Sequence, residues 1–506
     1  MPIPAEAFFL VPGASGTLQQ QIQQRVAEGI LRGRLRPGER MPSSRGLARH
    51  LGVSRITVTL AYTELVSGDY LTARGRSGYF VSETAPAPAG LAAAAPREER
   101  IDWRARTGGR FAANELATKP RDWRSYPFPF IYGQADPSLF DHQNWRQCAL
   151  RALGLRDFEI LTADFYERDD PMLIEYILRN ILPRRGIDAR PEEVLLTMGA
   201  QNALWIAASV LLGPGRRAVI ENPCYSGLRM ALAQQGAQVA AVDVDAGGLP
   251  PEAIPPGTDV VFATASHQCP TNATMPLERR QALLARAAAG DFIVVEDDYE
   301  FEMSFVKPAA PALKSLDGEG RVVYVGSFSK TLFPGLRLGY LVASPGFIRE
   351  ARALRGAMMR HPPGHIQRTV AYFLSLGHYD ALVNRLGQAY RRRRAAMDEA
   401  IAANGLAVAG AVGGGSSFWM RAPEGVDSAA LAGRLAPRGV LIEPGRMFFA
   451  PGGGGGFYRL AYSSIAQNRI AEGIARIAEA IAGTGAGTGL EPGAETAGRT
   501  GANPAA

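Results

Sequence analysis

Between Gly16 and Val81 the apolar positions fall first at helical and then at strand-like intervals. Leu18, Ile22, Val26 and Ile30 recur every fourth residue, a single apolar stripe along one helix. That helix is predicted to stop at Gly33. Arg36-Pro37-Gly38 marks a turn, and Ser43 or Ser44 can cap a short second helix reaching about His50. Gly52 breaks the chain, and Ser54 caps a third helix that runs to about Ser67. Tyr70-Leu71 and Tyr79-Phe80-Val81 bracket the polar segment Thr72 to Gly78 as a β-hairpin. Three helices and a wing are the expected result, over residues 15–83.

After this unit the pattern changes. Residues 84–96 are almost entirely Ala, Pro and Gly, the composition of a semi-stiff tether. With a polar extension that carries Trp103, Phe111 and Trp123, they make a linker region over 84–125. From 126 to 482, buried strand-like runs at 194–197, 217–221, 260–263, 292–296, 322–326 and 340–343 alternate with amphipathic helical stretches. Such alternation predicts an α/β layer structure with a mainly parallel sheet. Residues 483–506 hold little that could be buried, and a disordered tail is expected there.

Composition narrows the classes. The 506 residues are 46% hydrophobic and 20% charged, the balance of a globular protein with more than one domain. No apolar run is long enough to span a membrane and no leader pattern opens the chain, so a cytoplasmic protein is expected. Cys148, Cys224 and Cys269 are widely spaced and form no disulfide framework, and the six histidines lack the partners of a metal set. The net charge of +7 permits a polyanionic partner without requiring one.

The distribution of charge says more. The first 83 residues carry ten arginines against six acids. Leu51-Gly52-Val53 turns between two helices, and Arg55, Thr57 and Thr59 lie on the first turns of the second, the layout of a recognition helix. Arg can bridge two acceptors on guanine, threonine hydroxyls can hold phosphates, and Arg45 on the preceding helix can grip the backbone. Arg74 and Arg76, flanking Gly75 at the wing tip, suit a narrow minor groove. A helical protein-docking module with solvated arginines fits the same periodicity. Arg36-Pro-Gly-Glu-Arg-Met-Pro-Ser-Ser-Arg45, Leu51-Gly-Val-Ser-Arg-Ile-Thr57 and Tyr70-Leu-Thr-Ala-Arg-Gly-Arg-Ser-Gly-Tyr-Phe80 resemble the winged helix of the GntR family of bacterial transcription regulators. The resemblance implies DNA contacts by Arg45, Ser54, Arg55, Thr57 and Gly75, and Thr59 stands where other members often carry a basic residue.

Only four of the 55 basic residues are lysines, which shortens the search for a catalytic amine. Lys119, Lys307 and Lys314 lie near prolines in polar surroundings. Lys330 lies in Ser327-Phe-Ser-Lys-Thr-Leu-Phe-Pro-Gly-Leu-Arg337, just after a predicted buried strand. A lysine among hydroxyls, with an arginine seven residues on, can form a Schiff base to an aldehyde cofactor while Ser327, Ser329 and Arg337 hold its phosphate. That cofactor, pyridoxal phosphate, needs an acid at its ring nitrogen. Asp297 is the choice, with Asp298 or Glu296 as substitutes, and Tyr299 could reach the ring hydroxyl. Thr197-Met-Gly199-Ala200-Gln201 ends one strand and opens a helix whose amides can cradle the phosphate. Tyr225 is suited to stack on the ring.

In this order the segments resemble the fold type I aminotransferases, a likeness that implies a substrate α-carboxylate at Arg459. A GntR-like winged helix tethered to such a domain resembles the MocR subfamily, as does His267-Gln-Cys-Pro-Thr-Asn272. The expected fold class is therefore α/β, an N-terminal winged helix-turn-helix plus a fold type I pyridoxal phosphate-dependent, aminotransferase-like domain. Two departures stand out: Cys269 replaces an Asn that would bind the ring hydroxyl, and Asp170-Pro171 replaces a glycine. The resemblance implies a homodimer on a double-stranded DNA operator, sensing a small amino compound by forming an external aldimine. γ-Aminobutyrate, taurine, alanine or related amines fit equally. A working aminotransferase that carries a winged helix, and a sensor of pyridoxal phosphate itself, are the alternatives.

Overall fold

The computed structural model describes residues 3–10, 16–86, 101–108, 119–134, 136–164, 166–306, 310–411 and 414–485. It divides into two compact units, Met1–Ala112 and Ala113–Ala506.

In the first unit, α1 (Leu18–Leu31), α2 (Ser44–Leu51) and α3 (Arg55–Ser67) precede a hairpin of β1 (Leu71–Ala73) and β2 (Tyr79–Val81). Each helix starts where a hydroxyl can replace a missing backbone partner. Thr17 forms a capping box with Gln20, Ser43 accepts from Gly46 N, and Ser54 accepts from Thr57 N. Ile22, Val26, Ile30, Leu47, Val58 and Leu65 meet in one core. Burying each side chain contributes roughly 1.5–3 kcal/mol. The sequence pattern begins this unit at residue 15, but residues 3–10 also belong to it. Ile3 and Phe8 join the core, Ile3 N donates to Arg40 O at 2.8 Å, and His50 Nε2 lies 3.0 Å from Phe8 O. Those residues are too few to show a period.

The second unit is built on a seven-stranded sheet. In chain order its strands are β3 (Val194–Thr197), β4 (Arg217–Asn222), β5 (Gln238–Asp243), β6 (Val260–Ala263), β7 (Ile293–Asp298), β8 (Val322–Ser327) and β9 (Gly339–Val342). Their spatial order is β3-β9-β8-β7-β6-β4-β5, and only β9 runs against its neighbours. Alternate residues bury opposite faces. Ala218, Phe262 and Val323 enter one core with α4 (Ala200–Leu211), while Val219, Val261 and Val322 enter another with α5 (Leu277–Gly290). Both faces are covered, as a largely parallel sheet requires. The strand β5, which the apolar pattern does not predict, is the exposed edge, where Gln238 and Val239 face outward.

A smaller antiparallel sheet packs beyond it, ordered 407–408, 417–421, 457–461, 443–444. Trp123 is buried with Ile131 and Leu441, so the end of the polar extension is part of this unit's packing. Phe111 lies outside the described residues. The last helix, Ile470–Gly485, continues past residue 483, where the sequence places the start of the tail; residues 486–506 lie outside the described residues.

Candidate functional site

On the first unit, α3 presents Arg55, exposed, and Arg45 is exposed on α2. Neither forms an ion pair among the described residues. Other expected DNA contacts have local partners. Ser54 Oγ and Thr57 Oγ1 lie 2.8 Å apart at the helix cap. Thr59 Oγ1 donates to Arg55 O at 2.9 Å, which turns its hydroxyl back onto the helix. Arg74 lies over the Phe80 ring at 4.7 Å and 4.0 Å from Glu83, so its guanidinium is tethered to the wing. Gly75 takes φ +48 beside Arg74, a left-handed turn that glycine allows without strain. The backbone of Arg76 lies in the same turn. Ile56, 71% exposed on α3, is an apolar group that sequence reasoning did not single out.

In the second unit the chemistry collects along one edge of the sheet. The C-terminal ends of β3, β4 and β8 lead into Gly199, Tyr225 and Lys330, Asp297 is the last residue but one of β7, and antiparallel β9 begins just after Arg337. Strand ends in such sheets are where ligands bind, because helix N-termini and loops converge there. They enclose a cavity of about 170 Å³ lined by Ala200, Gln201, Tyr225, Asp297, Tyr299, Ser327, Ser329, Lys330, Arg337 and Arg459, with Tyr132, Cys269 and Pro334.

One end of the cavity is built for an anion. Gly199, at φ +81, starts α4 without a side-chain cap, so amides of its first turn are open. A side chain there would come within 3.6 Å of the Arg337 guanidinium. Arg337 has no ion-pair partner among the described residues, and Ser327 and Ser329 stand beside it on the cavity wall. A cation, two hydroxyls and a helix N-terminus match a phosphate dianion.

Elsewhere on the wall is an acid without a partner. Glu296 accepts from Leu313 N and Lys314 N, and Asp298 accepts from Arg185 at 2.6 Å and Tyr324 at 2.8 Å. Asp297 is the member of this trio that lines the cavity, and its Oδ1 is buried without a hydrogen-bond partner. Burial, helped by neighbouring Asp298 and Glu221, pushes its carboxyl up to about 7. An unpartnered buried carboxyl fits a protonated ring nitrogen, so the residues present suit pyridoxal phosphate at both ends. Burial likewise lowers the Lys330 ammonium from 10.5 to about 8, opposed by Glu300.

Two expected roles change. The Tyr299 hydroxyl donates to His267 O at 3.0 Å, so the proton assigned to a ring hydroxyl is already directed at the backbone. Arg459 donates from Nε to Glu443 at 2.8 Å, and its charge, which burial alone would weaken, is reinforced by that carboxylate. The Arg459 Nη1 also donates to Cys269 Sγ at 3.9 Å, a weak contact that an effector's acidic end would share or displace. Cys269 is pushed up to about 12 by burial, a neutral thiol where the enzymes carry an amide. Asp170 serves the fold: it caps the helix Pro171–Tyr176 through Met172 N and Leu173 N and pairs with Arg368 at 2.8 Å. Asn272 takes φ +59, a left-handed conformation that asparagine tolerates, and donates to Ser417 O.

Comparison with known proteins agrees with this two-part layout. Residues 18–81 match the family of bacterial regulatory proteins of the gntR type, and residues 152–477 match aminotransferase class I and II. The HTH-type transcriptional regulator TauR of Rhodobacter capsulatus is 63% identical over 484 residues, covering 95% of this chain and 100% of that one. The probable rhizopine catabolism regulatory protein MocR of Rhizobium meliloti is 31% identical over 380 residues, 74% of this chain and 76% of that one. The chain belongs to the MocR subfamily of GntR-type transcription regulators. This MocR-type regulator thus joins a GntR helix-turn-helix, which implies DNA binding, to an aminotransferase-like domain. Among solved structures, the α-aminoadipate aminotransferase LysN of Thermus thermophilus, complexed with N-(5′-phosphopyridoxyl)-L-leucine, shares the fold with a TM-score of 0.68 at 29% identity. The match covers 76% of this chain and 100% of that one, and the fold implies pyridoxal phosphate. No helix among the described residues is long and apolar enough to cross a membrane.

Tyr132, Glu300 and Glu443 were not found by sequence reasoning. Tyr132 has no motif of its own, and its hydroxyl donates to Glu300, 168 residues away. Glu300 follows Tyr299 directly, the one signal that could have drawn attention to it.

Proposed function

We propose that this regulator holds pyridoxal phosphate on Lys330 and senses a primary amine that takes the lysine's place, changing the grip of a homodimer on its operator. The observation that carries the reading is the setting of Lys330: a buried amine lowered to about 8, in a cavity with an anion-receptive end and an unpartnered acid. At pH 7 about a tenth of such an amine is uncharged and nucleophilic, against less than about a thousandth for an ordinary lysine.

Each residue then has a role. Ser327, Ser329, Arg337 and the amides of Ala200 and Gln201 hold the phosphate, with Gly199 keeping the turn open. Asp297 keeps the ring nitrogen protonated, and Tyr225 supports the ring face. Bound there, the cofactor supplies an electrophilic carbon at which amines exchange. Arg459 orients the acidic end of the effector through its terminal nitrogens. Arg45, Ser54, Arg55, Thr57 and the wing turn of Arg74, Gly75 and Arg76 serve the operator, Arg55 reading bases and the others holding phosphate or the minor groove, while Thr59, bonded back to Arg55 O, supports the helix that carries them. An amine that favours one arrangement of the dimer shifts its population, and DNA affinity follows.

Visible absorbance tests the reading. Pyridoxal phosphate should give the parent protein a band that Lys330→Ala abolishes, and an unchanged spectrum in that variant refutes the site. The alternative, an aminotransferase with a DNA-binding arm, draws on the likeness to LysN; steady conversion of an amine and a keto acid would establish it. The neutral Cys269 at the amide position favours sensing over turnover.

A further inference from the structure

We propose that Glu300, through Tyr132, is the counter-charge that receives the Lys330 ammonium when an amine effector displaces it, and so sets how readily the exchange occurs. This rests on the reading of Lys330 given above.

The argument starts from the charges around one ring. Lys330 Nζ and Arg459 Cζ each lie 4.0 Å from the Tyr132 ring centroid, so the phenol holds two cations by its π face. Each cation needs a carboxylate in so dry a place. Arg459 has Glu443 at 2.8 Å. Asp297, whose carboxyl burial pushes up to about 7, also interacts with Lys330 but is assigned to the ring nitrogen, which leaves Glu300. Glu300 is 1% exposed, one oxygen accepts the Tyr132 hydroxyl, and the other, Oε1, is buried without a partner. It has no ion pair among the described residues, and of the carboxylates around Lys330 it supports the ammonium most strongly, ahead of Glu443 and against Arg459. Gly133 completes the seat: it takes φ +68, a conformation other residues rarely adopt, and a Cβ there would displace Nζ from its place beside the Tyr132 ring.

The exchange balances without any further reagent. The effector arrives as an ammonium ion, gives up two protons, and its nitrogen forms both bonds to the cofactor carbon. Both bonds from that carbon to Nζ break with their electrons returning to Nζ, which takes up the two protons the effector gave up. One ammonium has entered and another has formed. The new one is buried, and without a carboxylate within reach its desolvation would oppose release. Glu300 lowers that barrier, so it is a positioning residue for Lys330 and touches neither cofactor nor effector.

The test is the titration of Lys330 in cofactor-free protein, followed by NMR with 13Cε-labelled lysine, which gives only four side-chain signals. Removing an opposite charge moves a pKa by about 1–3 units. Glu300→Gln should therefore lower the Lys330 midpoint by at least about one unit, and should weaken amine binding by the loaded protein about tenfold or more, while the visible band still forms. Glu300→Asp keeps the charge and should restore most of both. Tyr132→Phe, which frees the carboxylate for the lysine, should raise the midpoint, so the inference stays testable even if Glu300→Gln does not fold. A Lys330 midpoint that neither variant moves overturns the proposal while leaving the cofactor site intact. A parent protein that forms no visible band contradicts the site itself, and this inference with it.

Discussion

Replacing Asp297 by Asn should strengthen the cofactor-free protein and weaken its hold on pyridoxal phosphate. Asp297 is buried, its Oδ1 has no partner, and its carboxyl is pushed from 3.8 up to about 7. Three units at about 1.4 kcal/mol each put the cost of its ionised form near 4 kcal/mol. An asparagine avoids that cost but leaves an unsatisfied amide, worth about 1–3 kcal/mol. At pH 8 the variant without cofactor should therefore be more stable than the parent by about 1–3 kcal/mol. The sign follows from linkage. The folded carboxyl binds its proton more tightly than the unfolded one, so its stabilising contribution is present at low pH and is lost as pH rises through about 7. The gain from Asn should accordingly shrink towards pH 5. With cofactor the order reverses, because a charge-assisted hydrogen bond to the ring nitrogen contributes about 1.5–3 kcal/mol, or about 10- to 150-fold in affinity. Urea unfolding at two pH values and a cofactor titration by absorbance measure both. Cofactor bound as tightly by the Asp297→Asn variant as by the parent, or a less stable variant at pH 8, would refute the placement of the ring nitrogen.

Three other outcomes follow. Glu221, Glu296, Asp297 and Glu302 are all pushed up to about 7 by burial, so the stability of cofactor-free protein should fall between about pH 5 and 7.5. His267, lowered by burial, offsets part of this below its ordinary 6.5, and a urea midpoint that rises across the window contradicts the assignment. Asp170→Ala strips a helix cap and leaves Arg368 with only Asp157 at 3.3 Å, which should cost about 3–5 kcal/mol in chemical unfolding. Arg55→Ala, at an exposed position, should leave unfolding within about 0.5 kcal/mol and weaken operator binding by about 1–3 kcal/mol in fluorescence anisotropy. Unchanged affinity and sequence preference would remove α3 as the recognition helix.

What the sequence disclosed was local. Six strands of the large sheet are short apolar runs buried on both faces, and such runs are visible without neighbours. The seventh, Gln238–Asp243, is an exposed edge whose composition says little about pairing. Lys330, Asp297 and Arg337 could be named because each lies at or near a strand end within a short motif. Tyr132, Gly133 and Glu443 come from distant parts of the chain and meet only in the folded unit, so no spacing announces them. Electrostatics stayed hidden for the same reason: that Asp298 is held by Arg185, leaving Asp297 free, depends on a contact across 113 residues. The back-bonded Thr59 and the Arg459–Glu443 pair are cases in which a residue type suited to ligand contact already has a partner.

The most direct measurement is a visible-absorbance titration of the purified, cofactor-loaded protein with a panel of primary amines, with labelled operator DNA in the same cuvette. A cofactor band that shifts with one amine class, persists on long incubation with a keto acid, and moves together with DNA affinity is the predicted result. A band indifferent to every amine, or one that decays with steady product formation while DNA binding stays constant, would contradict the account of a sensor.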